Sequence, residues 1–202
     1  MVYAVLAVCA YLLGSVPFGV LVARAKGVDI MAVGSGNTGA TNVARTLGWG
    51  LGIFVFALDV LKGAVPAVAT MQVTGSQDAA VLVGVAAVLG HTLSPFLRFK
   101  GGKGVATGLG VLVGSAPIVG GAAFLVFLVL FGITRVVSVS SLVAALAVLV
   151  AAWFTKQGTV FFAVFTPLVA YVFYRHRANI GRLLKGEEPK FGKKNDRDKG
   201  DA

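Results

Sequence analysis

Residues 105–133 read VATGLGVLVGSAPIVGGAAFLVFLVLFGI, a run without a single charged side chain. A membrane-spanning helix needs roughly 20 such residues, so the run is too long for one crossing and short for two. Ser115, Ala116 and Pro117 mark a place where the chain would turn between two helices. How this run crosses the membrane decides the topology of the whole chain.

The remainder of the chain also has the composition of an integral membrane protein. Of its 202 residues, 57% are hydrophobic and 13% are charged, and the mean hydropathy is +0.88. A soluble domain of this size is less apolar. Further apolar runs cover 2–22, 51–71, 79–97, 142–154 and 160–174. We therefore expect an all-α polytopic bundle in which residues 1–191 form a single transmembrane domain.

The basic residues decide between one crossing of 105–133 and two. One crossing would place the basic segment from Arg175 opposite the basic loops at 24–45 and 98–103, against the tendency of Lys and Arg to lie on the cytoplasmic side. Two crossings gather all of them on one side and leave Lys156 outside. We therefore expect about seven transmembrane helices, an outer N-terminus and a cytoplasmic C-terminus, with a tilted or re-entrant helix at 105–115 as an open alternative.

The formal net charge of +10 follows mostly from this topology and does not indicate a nucleic-acid binder. Residues 192–202 form a basic tail that we expect to be disordered in the cytoplasm. Attraction of this tail to anionic lipid is the alternative.

The predicted topology gathers four polar segments, 34–45, 101–107, 138–141 and 176–188, on one face. The first reads GSGNTGATN at 34–42 and is followed by Arg45. Its glycines match G-x-G-x-x-G, but a membrane helix precedes them here, whereas a dinucleotide site needs a strand. Exposed backbone N–H groups and a helix beginning near 39–41 favour an anion site with Arg45 as a ligand. A flexible loop of turn residues is the alternative.

The second segment, RFKGGKGVAT at 98–107, combines three glycines with three cations where a helix begins. It lacks the G-x-x-x-x-G-K-[ST] spacing, so nucleotide hydrolysis is not indicated. We predict that Lys103, enclosed by glycines, binds a phosphate. Arg98 and Lys100 are equally well explained as residues that flank a membrane helix.

Serines and a histidine mark the third and fourth segments. Ser138, Ser140 and Ser141 begin a helix, where serine commonly caps. His176 and Asn179 share one helical face through their i, i+3 spacing. The histidine is either a general base, a phosphate donor or a residue that completes a helix end.

Two polar features lie within the predicted spans. Asp59 and Lys62 fall near mid-depth of the second span, and their i, i+3 spacing predicts an ion pair. Intramembrane ions indicate a functional site, but a structural pair that supports the nearby loop is an equal alternative. We interpret His91 as a hydrogen-bonded packing residue.

The motifs at 34–42, 101–107 and 176–180 (HRANI) resemble, in this order, those of the bacterial acyl-phosphate-dependent glycerol-3-phosphate acyltransferases of the PlsY type. The segments 14–19 (GSVPFG), 59–63 and 186–189 extend the resemblance over nearly the whole chain. It implies a multi-pass enzyme of the bacterial cytoplasmic membrane whose active site faces the cytoplasm. Such an enzyme transfers an acyl group from acyl phosphate to the sn-1 hydroxyl of glycerol 3-phosphate, the first step of phospholipid synthesis. The products are lysophosphatidate and inorganic phosphate. The resemblance implies no cofactor, no metal and no nucleic-acid partner, and it leaves the oligomeric state open.

The resemblance also assigns roles to single residues. It implies catalytic roles for Ser35, Arg45, Lys103, His176 and Asn179. It implies substrate binding by Gly36, Asn37, Gly39, Thr41, Asn42, Gly101, Gly102 and Ser141. Asp59, Lys62 and Glu188 would be structural.

Acyl phosphate is an activated anhydride, so no covalent nucleophile is required and positioning with charge stabilisation suffices. We expect a substrate phosphate to take the hydroxyl proton, with His176 as the alternative base. Neither histidine has an Asp five positions on, as acyl-CoA-dependent glycerophosphate acyltransferases do. An organic-anion transporter or channel is the competing function, and a lipid-binding scaffold is a third. The outer loops, however, carry only Asp78 and Lys156 as charges.

Overall fold

The computed structural model describes residues 1–192, and within this range all regular secondary structure is helical. The ten α-helices are α1 (Val2–Ser15), α2 (Phe18–Arg24), α3 (Ala40–Leu47), α4 (Trp49–Thr74), α5 (Gln77–Thr92), α6 (Val105–Ser115), α7 (Pro117–Thr134), α8 (Val137–Phe154), α9 (Thr159–Arg175) and α10 (Arg177–Leu184), with a 3-10 turn at Pro95–Leu97. The predicted all-α membrane fold is confirmed. The predicted tail, 192–202, lies outside the described residues from 193 onward.

Among residues 1–192, five segments are long and apolar enough to cross a membrane: Val2–Arg24, Trp49–Thr74, Gln77–Leu97, Pro117–Thr134 and Val137–Phe154. The pair α9 and α10, bent by 57°, counts as a sixth if both helices form one span. The break between α6 and α7 falls at residue 116, where the sequence predicted it. At 1.5 Å per residue α6 is only about 16 Å long, roughly half of the hydrocarbon thickness. Seven crossings and the orientation of the termini therefore stay predictions.

The first span is broken, although its sequence predicts one continuous helix over 2–22. α1 ends at Ser15 and α2 begins at Phe18. Pro17 has no N–H, and it restricts Val16 to an extended conformation with φ −60° and ψ 119°. The carbonyl groups that this break exposes accept hydrogen bonds from polar side chains near the site.

α8 begins at Val137, five residues before the predicted apolar run at 142. The serines of the third segment are therefore inside the helix, and the helix start has no side-chain cap. Ser140 donates its hydroxyl to the carbonyl of Val136 at 3.0 Å. This bond satisfies the hydroxyl within the helix and so offsets the cost of burying it.

Glycines bring α4 and α6 into close contact. A Cβ at Gly63 would collide with the backbone of Thr107, and one at Gly110 would collide with the carbonyl of Val60. Small residues at such contacts let helix backbones approach closely in membranes. This packing holds the short α6 and places its amino end beside α4.

Candidate active site

Residues from all four polar segments line one cleft of about 780 Å³. The predicted site residues in its wall are Ser35, Asn37, Gly39, Thr41, Asn42, Arg45, Asp59, Lys103, Ser141, His176, Asn179 and Glu188. Gly36, Gly101, Gly102 and Lys62 are not among the described residues that line the cleft. Ser138 and His91, to which the sequence assigned no substrate contact, line the cleft as well.

The buried side chain of Asn42 organises the first glycine-rich loop. Its carbonyl oxygen accepts the N–H of Ser35 at 2.9 Å. Its amide nitrogen donates to the carbonyls of Ile30 and Val33 at 3.0 and 3.1 Å. Because these bonds engage both ends of the amide, Asn42 shapes the loop, and its predicted contact with a substrate stays a prediction.

The loop then turns into α3 at the predicted position. Asn37 accepts the N–H of Gly39 through its side-chain oxygen at 2.9 Å, and α3 begins at Ala40. Gly39, Ala40 and Thr41 all line the cleft. The positive end of α3 therefore faces the cleft, where it favours an anion.

The two glycines of the second loop have their backbone groups bonded to protein. The N–H groups of Gly101 and Gly102 donate to the carbonyls of Thr92 and His91, each at 3.1 Å. Their carbonyls accept Arg175. A direct contact between these two glycines and a phosphate therefore stays a prediction, and the structure shows them as the base of the loop.

Lys103 is the cation that this loop presents to the cleft. Its ammonium donates to the side-chain oxygen of Asn179. Gly104 follows in the left-handed region with φ 85° and opens α6. Burial is the main cause that lowers the pKa of Lys103 to about 8; nearby guanidinium groups contribute to this shift, and the attraction of Glu188 opposes it. A second positive position therefore stands at the amino end of α6.

Glu188 joins α8 and α10 beside the cleft through three hydrogen bonds. Its carboxylate accepts the Ser138 hydroxyl at 2.8 Å, the Asn179 amide at 2.6 Å and the Arg182 guanidinium at 2.7 Å. Burial alone would raise the pKa of Glu188, but these hydrogen bonds hold it below its usual value. A carboxylate only accepts, so it fixes the nitrogen of Asn179 toward itself and the oxygen toward Lys103.

Arg45 is held by a strap formed by residues 187–191. The guanidinium donates to the carbonyl of Pro189 at 3.1 Å and lies 4.9 Å from the centre of the Phe191 ring. That ring packs 4.6 Å from Trp49 and 5.7 Å from Phe131, centre to centre. Sequence reasoning missed Pro189 and Phe191 as partners of Arg45, because two residues after the last helix show no periodicity.

His176 lies just beyond the end of α9. Its Nδ1 is 2.8 Å from the carbonyl of Val172, which only accepts, so Nδ1 carries the proton and Nε2 is an acceptor. Burial, together with the charge of Lys103, lowers the pKa of His176 to about 4. At neutral pH the ring is therefore uncharged and accepts a hydrogen bond rather than presenting a cation.

The predicted ion pair between Asp59 and Lys62 is present, at 2.8 Å and almost completely buried. Lys62 also donates to the carbonyl of Val16 at 3.1 Å, which the break before Pro17 exposes. Nδ1 of His91 lies 3.7 Å from the Asp59 carboxylate. The pair thus connects α4 to the broken first span, and its functional role stays a prediction.

An apolar groove of about 680 Å³ opens from the cleft. Both share Phe56, Gly104, Val105, Phe127 and Ser141 in their walls. Beyond them the groove is lined by aliphatic and aromatic side chains from α6 to α9, including Leu109, Leu112, Phe124, Val148 and Leu168. The arrangement offers two places for anions beside a slot for an extended hydrocarbon chain.

Known proteins resemble this chain over almost its whole length. The model of a family described as glycerol-3-phosphate acyltransferase matches residues 4–186. A glycerol-3-phosphate acyltransferase from Nostoc sp. is 46% identical, covering 92% of this chain and 90% of the relative. One from Aquifex aeolicus is also 46% identical, covering 92% and 97%.

Two solved structures share the fold. The crystal structure of PlsY, an integral membrane glycerol 3-phosphate acyltransferase, in its glycerol 3-phosphate form has a TM-score of 0.91 and 43% identity. Its lysophosphatidic acid form has a TM-score of 0.88. In both comparisons the alignment covers 95% of this chain and 96% of the other.

We expect inorganic phosphate to bind the cleft more weakly as the pH rises through about 8. With its pKa lowered to about 8, the Lys103 ammonium is charged below that pH and neutral above it. An unshifted lysine, at 10.5, would stay charged. At pH 9 roughly a tenth of the ammonium remains, so affinity should fall up to about tenfold from pH 7.5 in titration calorimetry.

The variant Lys103→Arg is the control, because a guanidinium stays charged throughout this range and any change in the phosphate itself affects both proteins equally. Its affinity should be flat. An affinity of the original chain that is equally flat to pH 9 would contradict the role of Lys103.

Proposed function

Because this chain belongs to the glycerol-3-phosphate acyltransferase family and is an integral membrane acyltransferase of phospholipid synthesis, we propose that its donor is an acyl phosphate. The acyl group passes to the sn-1 hydroxyl of glycerol 3-phosphate. The products are lysophosphatidate and inorganic phosphate. Family membership leaves the alternatives of a transporter and a lipid scaffold without support.

The observation that carries this proposal is the apolar groove opening directly into a cationic cleft. An acyl phosphate places a hydrocarbon chain and a phosphate on either side of one carbonyl carbon. With the chain in the groove, the phosphate reaches the end of α3 and Arg45. The apolar and the anionic parts of this donor therefore match the groove and the cleft, and its carbonyl carbon falls where the two cavities meet.

The acceptor phosphate then takes the second positive position. Lys103 and the amino end of α6 provide charge and N–H groups for it. Asn179, which accepts the Lys103 ammonium, and Ser141 also line the cleft, and they orient the glycerol hydroxyls. The sn-1 hydroxyl is thereby held beside the carbonyl carbon, which converts a bimolecular step into an intramolecular one.

The reaction needs no covalent intermediate. The hydroxyl oxygen forms a bond to the carbonyl carbon, and the bond from that carbon to the phosphate oxygen breaks. The electron pair leaves on phosphate, and the hydroxyl proton ends on the same phosphate. Arg45 and the N–H groups around Ser35 stabilise the charge that develops on the carbonyl and leaving oxygens.

A substrate phosphate is the better base for this proton than His176. A phosphoryl group ionises near pH 6, whereas burial lowers the pKa of His176 to about 4. General bases work best when their pKa lies near the operating pH. Nε2 of His176 therefore accepts a hydrogen bond from the acceptor and orients it, while phosphate removes the proton.

The cleft opens to the cytoplasm of a bacterial cell in this proposal, and the enzyme lies in the cytoplasmic membrane. The loops that build the cleft carry the basic residues of the chain, as cytoplasmic loops do. The turn between α8 and α9, with Lys156, lies on the other side. With the amino end of α6 in the cleft, a short re-entrant α6 is compatible with this placement.

The donor is tested with purified protein, glycerol 3-phosphate and either acyl phosphate or acyl-CoA. We expect phosphate release and lysophosphatidate with acyl phosphate. The rate with acyl-CoA should be at least about a hundredfold lower, because its acyl carbonyl is joined to sulfur and no phosphate lies beside that carbonyl for Arg45 to bind. Mass spectrometry of the lipid checks the product. Equal rates with both donors, or no turnover with acyl phosphate of any chain length, would overturn the proposal.

The base is tested with His176→Gln. Glutamine still accepts a hydrogen bond but takes no proton, so we expect kcat to fall by less than about tenfold. Loss of a true general base typically costs about a hundredfold to ten-thousandfold. Calorimetry measures glycerol 3-phosphate binding in parallel. Abolished turnover with unchanged acceptor affinity would identify His176 as the base.

The orientation is tested with single cysteines in a Cys9→Ser background. Lys156 and Lys185 are both exposed, so Lys156→Cys and Lys185→Cys make a matched pair. A membrane-impermeant maleimide should label position 156 in intact spheroplasts and position 185 only after permeabilisation. The reverse pattern would place the cleft on the outer side.

A further inference from the structure

Arg175, the last residue of α9, bridges two consecutive carbonyl groups of the second loop. One of its guanidinium nitrogens, Nη2, donates to the carbonyl of Gly101 at 2.7 Å and to that of Gly102 at 2.8 Å. The side chain is only half-buried, and it is not among the described residues that line the cleft. Arg175 thus contacts the loop from behind.

The same two glycines are fixed from the other side by the end of α5. Their N–H groups donate to the carbonyls of Thr92 and His91. A Cβ at Gly102 would collide with Nε2 of the His91 ring, so the backbone of Gly102 lies close to that ring. With Arg175 in place, all four backbone polar groups of Gly101 and Gly102 are hydrogen-bonded.

Arg175 also connects two parts of the site that are distant in sequence. It directly precedes His176, whereas the glycines directly precede Lys103. Since the carbonyls of a short glycine loop have wide conformational freedom, the guanidinium sets the angle at which the chain leaves Gly102. That angle determines where the Lys103 ammonium and the N–H groups of α6 point.

We propose that Arg175 is a positioning residue for the acceptor site: by bridging the carbonyls of Gly101 and Gly102, it holds Lys103 and the amino end of α6 in register with His176 and Asn179. The proposal rests on the proposed placement of glycerol 3-phosphate at Lys103. Arg175 contacts neither substrate and acts through the loop. Its loss should therefore affect the acceptor far more than the donor.

The test compares Arg175→Ala with Arg177→Ala as a matched control. Arg177 lies two residues further on and is exposed. Its guanidinium donates to the carbonyl of Tyr174 at 3.2 Å and lies over the ring of Tyr174. Its loss therefore removes the same charge without removing a contact to the loop. We expect Arg175→Ala to raise the KM for glycerol 3-phosphate about tenfold or more. The KM for acyl phosphate should change less than about twofold, and Arg177→Ala should change neither.

Arg175→Lys separates geometry from folding. An ammonium reaches one of the two carbonyls, so the KM for glycerol 3-phosphate should lie between those of the original chain and Arg175→Ala. If Arg175→Ala does not fold, the lysine variant tests the proposal alone. A positioning role requires that Arg175→Lys raise the KM for glycerol 3-phosphate more than the KM for acyl phosphate. A merely structural role would raise both KM values together and lower the melting temperature.

Lys103→Ala distinguishes failure of this inference from failure of the proposed site. If Lys103→Ala raises the KM for glycerol 3-phosphate while Arg175→Ala leaves it within about twofold, the positioning role is overturned and the acceptor site stands. If neither variant changes it, the placement of the acceptor at Lys103 is itself wrong, and the positioning role is overturned with it.

Discussion

The geometry of the cleft depends on the hydrogen bonds of one buried carboxylate, that of Glu188. It is an acceptor only, and it receives hydrogen bonds from a hydroxyl on α8, an amide on α10 and a guanidinium on α10. Because its negative charge faces the amide nitrogen of Asn179, the amide oxygen is left for Lys103. Glu188 thus orients Lys103, the cation that we assign to the acceptor phosphate, through Asn179, although Glu188 itself does not attract phosphate. Without this carboxylate, Lys103, Arg45 and Arg182 would repel one another in a half-buried space.

The two glycine-rich loops follow one principle. Each leads into a helix whose amino end lines the cleft together with a nearby cation, and the backbone of each loop is held by hydrogen bonds with a polar side chain. Asn42 does this for the first loop through three hydrogen bonds, and Arg175 does it for the second through two. The conformational freedom that the glycines would give these loops is therefore restricted in the folded protein by the hydrogen bonds of Asn42 and Arg175. A site that must align two phosphates with one carbonyl carbon needs that rigidity before the substrates arrive.

The membrane setting explains how such a polar site stands beside a slot for a hydrocarbon chain. The short α6 packs on α4 through glycines, so its amino end stops at the cleft while its body lines the apolar groove. Irregular backbone, such as the break before Pro17, is tolerated where polar groups such as the Lys62 ammonium satisfy it. One short helix thus presents a positive end to phosphate and an apolar face to an acyl chain.

The sequence by itself determined the all-α membrane fold, the break between α6 and α7 and the four segments that meet at the site, because hydropathy, a proline and glycine-rich spacing are local signals. The family resemblance also depended on local motifs. The tertiary structure alone decided that Asn42 holds the first loop through three hydrogen bonds, that Arg175 bridges two glycines 74 and 73 residues away, and that Phe191 covers Arg45. These contacts join residues far apart in the chain. No periodicity or spacing records them, since a hydrogen bond depends on where the folded backbone brings a donor and an acceptor together.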